Sequence, residues 1–132
     1  MASSVVSDNF ETSSGAIPNI GGADVTTRFC SAWVNFNGSS TVAIRASYNV
    51  SSITDNGVGD YTINFTDALS SANYVLLGTA AYGAISISAN RILGIWDNNS
   101  TTPPTTTTCR IATIYSSETR QDVSWVCASI FS

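Results

Sequence analysis

The feature that most constrains this chain is a two-residue alternation of apolar and polar side chains that runs through residues 30–66. Tyr61, Ile63 and Phe65 alternate with threonine and asparagine, and residues 42–46 repeat the pattern. Successive side chains of a β-strand point to opposite faces, so this period indicates a sheet with one buried face and one wet face. The segment therefore predicts β-structure.

Two turn signals divide this segment into strands. Asn37-Gly38 predicts a tight hairpin, because both residues tolerate a positive φ. Residues 55–60, Asp-Asn-Gly-Val-Gly-Asp, contain two glycines that suit a second hairpin loop. Asp-x-Asn-like spacing also occurs in calcium loops, but this one has few acidic residues and no distal glutamate, which favours the turn.

Short apolar runs separated by turns continue to the C-terminus. Residues 74–78 form a nearly continuous apolar run, which predicts a central strand covered on both faces. Residues 85–89 alternate again, and residues 92–96 continue the strand past a kink at Gly94. Seven to nine strands without an amphipathic helix predict an all-β fold. We expect a single antiparallel β-sandwich, jelly-roll-like or Ig-like, over residues 30–132.

The composition argues against several classes of function. Only 11% of the 132 residues are charged, the net charge is −4, and the chain has neither His nor Lys. Without a basic cluster we expect no nucleic-acid binding. Without His or Lys the commonest general bases are missing, so we expect no catalytic residues, no metal and no cofactor. An enzyme acting on polysaccharide would need two facing carboxylates. The candidates are Asp55, Asp60, Asp67, Asp97 and Asp122, whose loop positions turn preference explains better.

The chain has an odd number of cysteines, namely Cys30, Cys109 and Cys127. The residues after Met1 lack a basic and apolar leader, and no apolar stretch reaches about 18 residues, so we expect no secretion and no membrane insertion. The protein would be made in a reducing cytoplasm. There the three thiols would act as small buried apolar groups and not as a disulfide framework.

The central stretch also carries a resemblance. AWVNFNG at residues 32–38, TVAIR at 41–45, and YNVSSITDNG with GDYTINFT between 48 and 66 resemble the C-terminal β-module of bacteriophage tail-fibre proteins, those of marine phages and cyanophages among them. The likeness is close over residues 30–66 and looser from Ala72-Asn73-Tyr74 onward. It implies a virion structural or receptor-binding module, usually trimeric. Tail fibres carry a long shaft before this module, whereas 29 residues precede it here, which leaves tail and capsid locations open.

Aromatic side chains indicate where copies of the chain would meet. Trp33 falls on the face opposite Val34 and Phe36, which suggests an oligomer contact, core packing or a ligand platform. The last strand is apolar on both faces, so it lies inside the sandwich or at a subunit interface. Arg45 is expected to pair with an aspartate, to line a subunit contact or to be solvated. The candidate oligomer interface comprises Trp33, Trp125, Val126, Ile130 and Phe131.

Two further segments are candidates for contacts with partners. Residues 1–29 lack an apolar period, which predicts either a disordered tail or an arm docked on a neighbouring subunit or another virion protein. The candidate docking residues are Val5, Val6, Phe10, Ile17 and Ile20. Residues 97–107 predict an exposed polar loop, a plain linker or a receptor contact. The candidate receptor-facing residues are Asn98, Asn99, Thr101, Thr102, Pro103 and Pro104.

The resemblance and these residues together predict a bacteriophage virion structural protein. It would be a homotrimeric tail-fibre-type module for attachment to the host surface or to the particle. Other virion proteins and a host-surface glycan would be its partners, with Trp33, Trp96 or Tyr82 stacking on the sugar. The alternatives are a capsid decoration protein docked through the arm, a polysaccharide-degrading fibre tip, and a host-encoded secreted adhesion or lectin domain.

Overall fold

The computed structural model describes residues 19–20, 23–24, 29–83, 91–96, 102–115 and 119–132. Every regular element in these ranges is a β-strand, and none of them contains a helix that could cross a membrane. The strands are β1 (Asn19–Ile20), β2 (Ala23–Asp24), β3 (Ala32–Asn37), β4 (Ala43–Tyr48), β5 (Val50–Gly57), β6 (Asp60–Phe65), β7 (Val75–Ala81), β8 (Arg91–Ile95), β9 (Thr108–Tyr115), β10 (Thr119–Arg120) and β11 (Trp125–Phe131).

Strands β3 to β11 form two antiparallel sheets that pack together, which confirms the predicted all-β sandwich. The four-stranded sheet has the order β4-β3-β11-β7. In the five-stranded sheet β5 pairs with β6 and β6 with β9, and β8 pairs with the other edge of β9. β10 pairs with the last residues of β9. Within the predicted arm, β1 and β2 pair with each other.

The core forms where the apolar halves of the alternating strands face each other. Val34 and Phe36 of β3 are buried against Tyr61 and Ile63 of β6, whereas Trp33 points outward. The rings of Phe36 and Tyr61 meet edge to face with centroids 5.2 Å apart, a favoured aromatic geometry. The period read from the sequence therefore assigns the inward and outward sides of these strands correctly.

The first hairpin differs from the predicted tight turn. Residues 38–42 join β3 to β4, and the positive φ of 61° belongs to Ser40 and not to Gly38. The Asn37 side chain closes the loop by donating from Nδ2 to the carbonyl oxygens of Ser39 and Thr41, at 2.6 and 2.9 Å. A Cβ at position 38 would lie 2.7 Å from the hydroxyl oxygen of Tyr61, so close approach requires the glycine.

The second hairpin follows the prediction. Val58-Gly59 is the two-residue connection between β5 and β6, and the φ angles of Gly57 and Gly59 are 127° and 60°. L-residues rarely adopt these angles, so both glycines serve the turn. A side chain at position 59 would also meet the backbone of Gln121 and Thr113.

The apolar run at residues 74–78 is not a central strand. β7 lies at the edge of the four-stranded sheet, and Val75 and Leu77 are each 58% exposed. Gly78 faces the other sheet, where a Cβ would collide with the side chain of Leu93 in β8. The run lacks a period because its outward side chains are apolar too. The predicted strand at residues 85–89 lies outside the described residues, whereas residues 92–95 belong to β8.

The sandwich has two distinct ends. At the arm end, so named because the predicted arm precedes Ser31 in the sequence, Asn49 connects the sheets and donates from Nδ2 to the carbonyl of Ser31 at 3.1 Å. The N–H of Leu69 donates to the carbonyl of Thr106 at 2.8 Å, so the segment before β9 shares this end. At the opposite end, which we call the far end, β7 and β9 finish and β8 begins with Arg91.

Candidate functional site

The outward side of the four-stranded sheet carries large apolar side chains on all four strands, with Asn35, Thr79 and Ser129 between them. Antiparallel register sets Tyr48 opposite Trp33, Ser129 between Trp33 and Leu77, and Phe131 opposite Val75. Directly opposed side chains share a face, so these groups form one surface. We call it the aromatic face and define it by Trp33, Tyr48, Val75, Leu77, Trp125 and Phe131. Within these four strands, each fully described, no aspartate or glutamate occurs.

Arg45 is the charged group at the margin of the aromatic face. The register of β3 with β4 shifts beside it, and its guanidinium lies 4.0 Å from the centroid of the Trp125 ring. Nη1 donates to Asn35 Oδ1 at 3.2 Å and Nη2 to the carbonyl of Ser124 at 2.7 Å. Of the three alternatives for Arg45, the pairing with an aspartate is not found among the described residues, where both acceptors are neutral and the side chain is exposed. The contacts hold Trp125 flat against the sheet margin.

A shallow depression of about 440 Å³ lies within the aromatic face, between β7 and β11. It is lined by Leu77, Gly78, Thr79, Cys127 and Ser129. Leu77 supplies apolar surface and Cys127 a half-buried thiol, while the hydroxyls are short. The depression can receive an apolar side chain, and it offers no charged group for chemistry.

The structure divides the predicted oligomer interface into two groups. Trp33 and Trp125 are 39% and 47% exposed, and Phe131 lies on the same outward side. Val126 and Ile130 are 0% and 1% exposed, because they point inward from β11 and pack in the core. The assignment of these two residues to an interface is therefore wrong. One face of β11 is apolar because it packs in the core, and the other is apolar because it forms part of the aromatic face.

The outward side of the five-stranded sheet, which we call the polar face, carries a buried ion cluster. Arg110 donates from Nε and Nη2 to the two carboxylate oxygens of Asp60, each at 2.7 Å, and Arg120 donates from Nη1 to Oδ2 at 2.6 Å. The hydrogen bonds from Arg110 hold the pKa of Asp60 below its usual range although burial opposes them. The carboxylate thus ties β6 to β9 and β10.

Neutral polar side chains continue the polar face beyond this cluster. Asn64 donates from Nδ2 to Ser52 Oγ at 3.1 Å and to Thr54 Oγ1 at 3.0 Å. Asn56 donates to Thr62 Oγ1 at 2.9 Å. These groups bond to each other across β5 and β6, so the surface is polar without being highly charged. The polar face is defined by Ser52, Thr54, Asp60, Thr62, Asn64 and Arg110.

A second carboxylate, that of the half-buried Asp122, holds the far end together. Asp122 Oδ1 accepts from the N–H of Gly59 at 2.7 Å and lies 2.9 Å from the hydroxyl of Tyr61, which also contacts the carbonyl of Gly38 at 2.6 Å. Burial, followed by the neighbouring Asp122 carboxylate, raises the pKa of Tyr61. Asp60 and Asp122 both have structural partners, and Asp55 caps the N–H of Gly57 at 2.9 Å.

The thiols and the acidic groups supply no metal site in the part of the chain that the structure describes. Cys109 is fully buried and burial raises its pKa, as expected for an apolar role, whereas Cys30 and Cys127 are only half-buried. All three are free thiols.

No protein-family model, curated protein or solved structure matches this chain. The aromatic face, the polar face and the far end are thus the features from which a function can be argued. Among them the aromatic face has the largest exposed apolar side chains of the described residues, Trp33 and Trp125.

The other predicted contact residues fall in less defined places. The described residues leave out most of the arm candidates, namely Val5, Val6, Phe10 and Ile17, and the side chain of Ile20 is not described. They also leave out the loop candidates Asn98, Asn99 and Thr101, together with Asp97. Thr102, Pro103 and Pro104 are described, and they lead into the segment that bonds at the arm end. That part of the loop thus lies away from the far end.

Two features of the surface were missed in the sequence. Tyr48, Val75 and Leu77 belong to the aromatic face, but an aromatic and two aliphatic residues in strand-like runs give no sign of their side. The Asp60–Arg110 pair was missed because the two residues are 50 positions apart and only the β6–β9 register brings them together. A clue was the placement of Arg110 in an otherwise apolar strand.

Proposed function

We propose that this chain is a bacteriophage virion structural protein, a tail-fibre-type module that assembles as a homotrimer through its aromatic face. The observation that carries the proposal is the exposure of Trp33, Leu77 and Trp125 on one continuous sheet surface. Contiguous apolar patches on a protein surface mark contact sites, and aromatic residues are enriched there. The assignment to phage rests on the resemblance of residues 30–66 to tail-fibre modules.

The charge pattern favours copies of the same chain as the occupant of this face. The outward positions of the four strands contain Arg45 and no carboxylate, and Arg45 is already bonded to neutral groups. A positively charged partner would find no counter-charge there, whereas copies of this chain can cover the face without burying a carboxylate, with Arg45 at its margin. Most soluble oligomers are closed symmetric assemblies of identical chains, and in a trimer each contact joins two different patches of the chain.

A closed ring of three copies also accounts for the exposed sheet edge. All six residues of β4, at the edge of the sheet next to the aromatic face, are exposed. Exposed edge strands invite uncontrolled pairing, and closed symmetry covers them. Three copies would bring the β4 edge of one copy next to the aromatic face of another.

The direction of the chain sets how such a trimer would be presented. The chain passes from the predicted arm, residues 1–29, into the sandwich at the arm end, where Ser31 bonds to Asn49. A trimer held to other virion proteins through this segment would expose the far end. The proposal contains no catalytic step, and cleavage of host polysaccharide by the purified protein would overturn that part of it.

Cryo-electron microscopy of intact particles that carry the protein tests the proposal. We expect threefold density at the tail, with the aromatic faces turned toward the symmetry axis and the far ends outward. Trimers spread over the capsid lattice, with residues 1–28 ordered against the shell, would contradict the tail assignment and establish a decoration protein. Isolated single copies would contradict the assembly.

A further inference from the structure

The far end of the sandwich contains an open pocket of about 420 Å³. It is lined by Arg91, Tyr115, Thr119, Arg120 and Gln121. Arg91 opens β8 directly opposite Tyr115 at the end of β9, so their side chains share the inward side of the sheet just beyond the core. The volume falls within the range of small-molecule sites, and it suits one sugar unit.

Arg91 is held there by aromatic rings. Its guanidinium carbon lies 4.3 Å from the ring centroid of Tyr115 and 5.6 Å from that of Tyr82. Such contacts offset part of the cost of removing a guanidinium from water and leave its hydrogen-bonding capacity unused. Of the arginines whose side chains are described, Arg110 and Arg120 pair with Asp60, and Arg45 bonds to neutral oxygens.

Polar atoms at this pocket lack partners. Nε and Nη1 of Arg91 and Oε1 of Gln121 are enclosed and make no hydrogen bond, and among the described residues only Thr102 Oγ1 shares that property. Buried polar atoms are nearly always paired, so two unpaired side chains at one pocket require an explanation. The Nε and Nη1 atoms of Arg91 lack hydrogen-bond acceptors, and the Oε1 atom of Gln121 lacks a donor.

We propose that the far-end pocket binds a hydroxylated carboxylate, specifically a hexuronate unit of an acidic polysaccharide. The ligand's carboxylate accepts from Arg91, a hydroxyl of its ring donates to Gln121 Oε1, and the C–H face of the ring packs on the exposed edges of Tyr115 and Tyr82. Because these unpaired atoms are enclosed in the free chain, the proposal requires the ends of the Arg91 and Gln121 side chains to rotate toward the ligand as it enters.

The charge and donor pattern separates this ligand from other anions. Asp60 is shared between Arg110 and Arg120, so that cluster keeps one net positive charge and Arg91 adds another, which favours an anionic ligand. A sulfate group offers acceptors and no donor for Gln121. A neutral sugar leaves Arg91 unpaired. The hexuronate satisfies both side chains.

The binding does not require the trimer, because the pocket lies at the far end and the aromatic face on the outward side of the other sheet. Only its use for attachment rests on the proposed function. A failure of hexuronate binding would therefore leave the assembly proposal standing, and a monomeric protein would leave the binding proposal standing.

The test is a nuclear magnetic resonance titration of the isotope-labelled full chain with methyl glucuronide. We expect saturable shifts around Arg91, Tyr115 and Gln121, with methyl glucoside and acetate each weaker by at least about tenfold because each lacks half of the pattern. Arg91→Gln should weaken glucuronide binding by about tenfold or more. Arg45→Gln, which removes the other ring-stacked guanidinium without a carboxylate, should leave it unchanged.

A second variant keeps the proposal testable if Arg91→Gln disturbs the fold. Gln121→Glu places a carboxylate beside Arg91 and should abolish glucuronide binding while leaving the spectrum folded. Absence of saturable shifts up to about 20 mM, or equal binding of glucoside and glucuronide, would overturn the proposal. A double-mutant cycle gives a further test. If Glu118→Gln and Arg91→Gln lower the stability by equal amounts, and the double variant loses no more than either, Arg91 pairs with Glu118 within the chain and the proposal is overturned.

Discussion

The two outward faces of the sandwich are built from the same alternating strands and carry opposite chemistry. The polar face joins its strands by side-chain hydrogen bonds and by the Asp60 cluster, so its polar groups already have partners. The aromatic face exposes Trp33, Tyr48 and Leu77 to water. The first surface is complete in the single chain, whereas the second gains stability only when something covers it.

The contrast explains why few charges suffice for this protein. The described Asp60, Arg110 and Arg120 are concentrated in one cluster on the polar face, and hydroxyl and amide groups continue it across β5 and β6. The aromatic face has no need of charge if copies meet on it. Mutations on the polar face should therefore change folding, and mutations on the aromatic face should change assembly.

Asp60→Asn should have the largest effect on the stability of the single chain. It leaves the Arg110 and Arg120 guanidinium groups without a counter-charge, and we expect the free energy of unfolding to fall by about 2–4 kcal/mol, discounted for the partial exposure of both arginines. Urea unfolding measures this change. Asp67→Asn removes the same charge from an exposed site and should stay within about 0.5 kcal/mol of the wild type. Equal effects of the two variants would break the comparison.

Trp33→Thr should weaken assembly by about 2 kcal/mol per contact and leave the unfolding of the single chain nearly unchanged, because the indole lies outside the core. Sedimentation velocity at several concentrations gives the shift in association. Ile92→Thr removes a side chain that is exposed on the opposite sheet and serves as the control. If Ile92→Thr dissociates the oligomer and Trp33→Thr does not, the copies meet on the outward side of the five-stranded sheet and not on the aromatic face.

The stability difference between wild type and Asp60→Asn should depend on pH. The pKa of Asp60 is lowered in the folded chain, so its contribution is complete above the unfolded value of about 3.9 and is lost as the pH falls through the folded pKa. The difference between the unfolding curves of the two proteins should therefore be smaller at about pH 2.5 than at about pH 6. A constant difference would show that the charge of Asp60 is not what stabilises the polar face.

Arg45→Gln should have the smallest effect. It removes the contact with the Trp125 ring, and we expect a loss of about 0.5–1 kcal/mol in unfolding free energy because the site is exposed. Thermal unfolding at two salt concentrations measures it. A loss as large as that of Asp60→Asn would mean that the margin of the aromatic face is as tightly built as the polar face.

The sequence predicts where the strands lie in the chain better than it predicts which strands pair with each other. Alternation in β3 and β6 assigns Trp33 outward and Tyr61 inward, because period two is a local property. The edge position of β7 and the burial of Val126 and Ile130 depend on strand order, which local spacing does not carry. Gly38 signals a turn in the sequence, but the reason for it, the hydroxyl of Tyr61, lies 23 residues away.

The candidate sites follow the same rule. Trp33 is visible in the sequence as a large apolar residue on the side of its strand opposite Val34 and Phe36. Trp125 is visible as a large apolar residue in a strand that is apolar on both faces. The pocket at the far end is not, because β8, β9 and the residue after β10 contribute Arg91, Tyr115 and Gln121 from separate parts of the chain.

The central claim is that the aromatic face joins copies of this chain, and sedimentation equilibrium of wild type and the Trp33→Thr/Trp125→Thr double variant tests it most directly. The wild type should sediment at micromolar concentration as three 13.8 kDa chains, and the folded double variant as one. A wild type that stays monomeric, or a double variant that stays trimeric, would contradict the account.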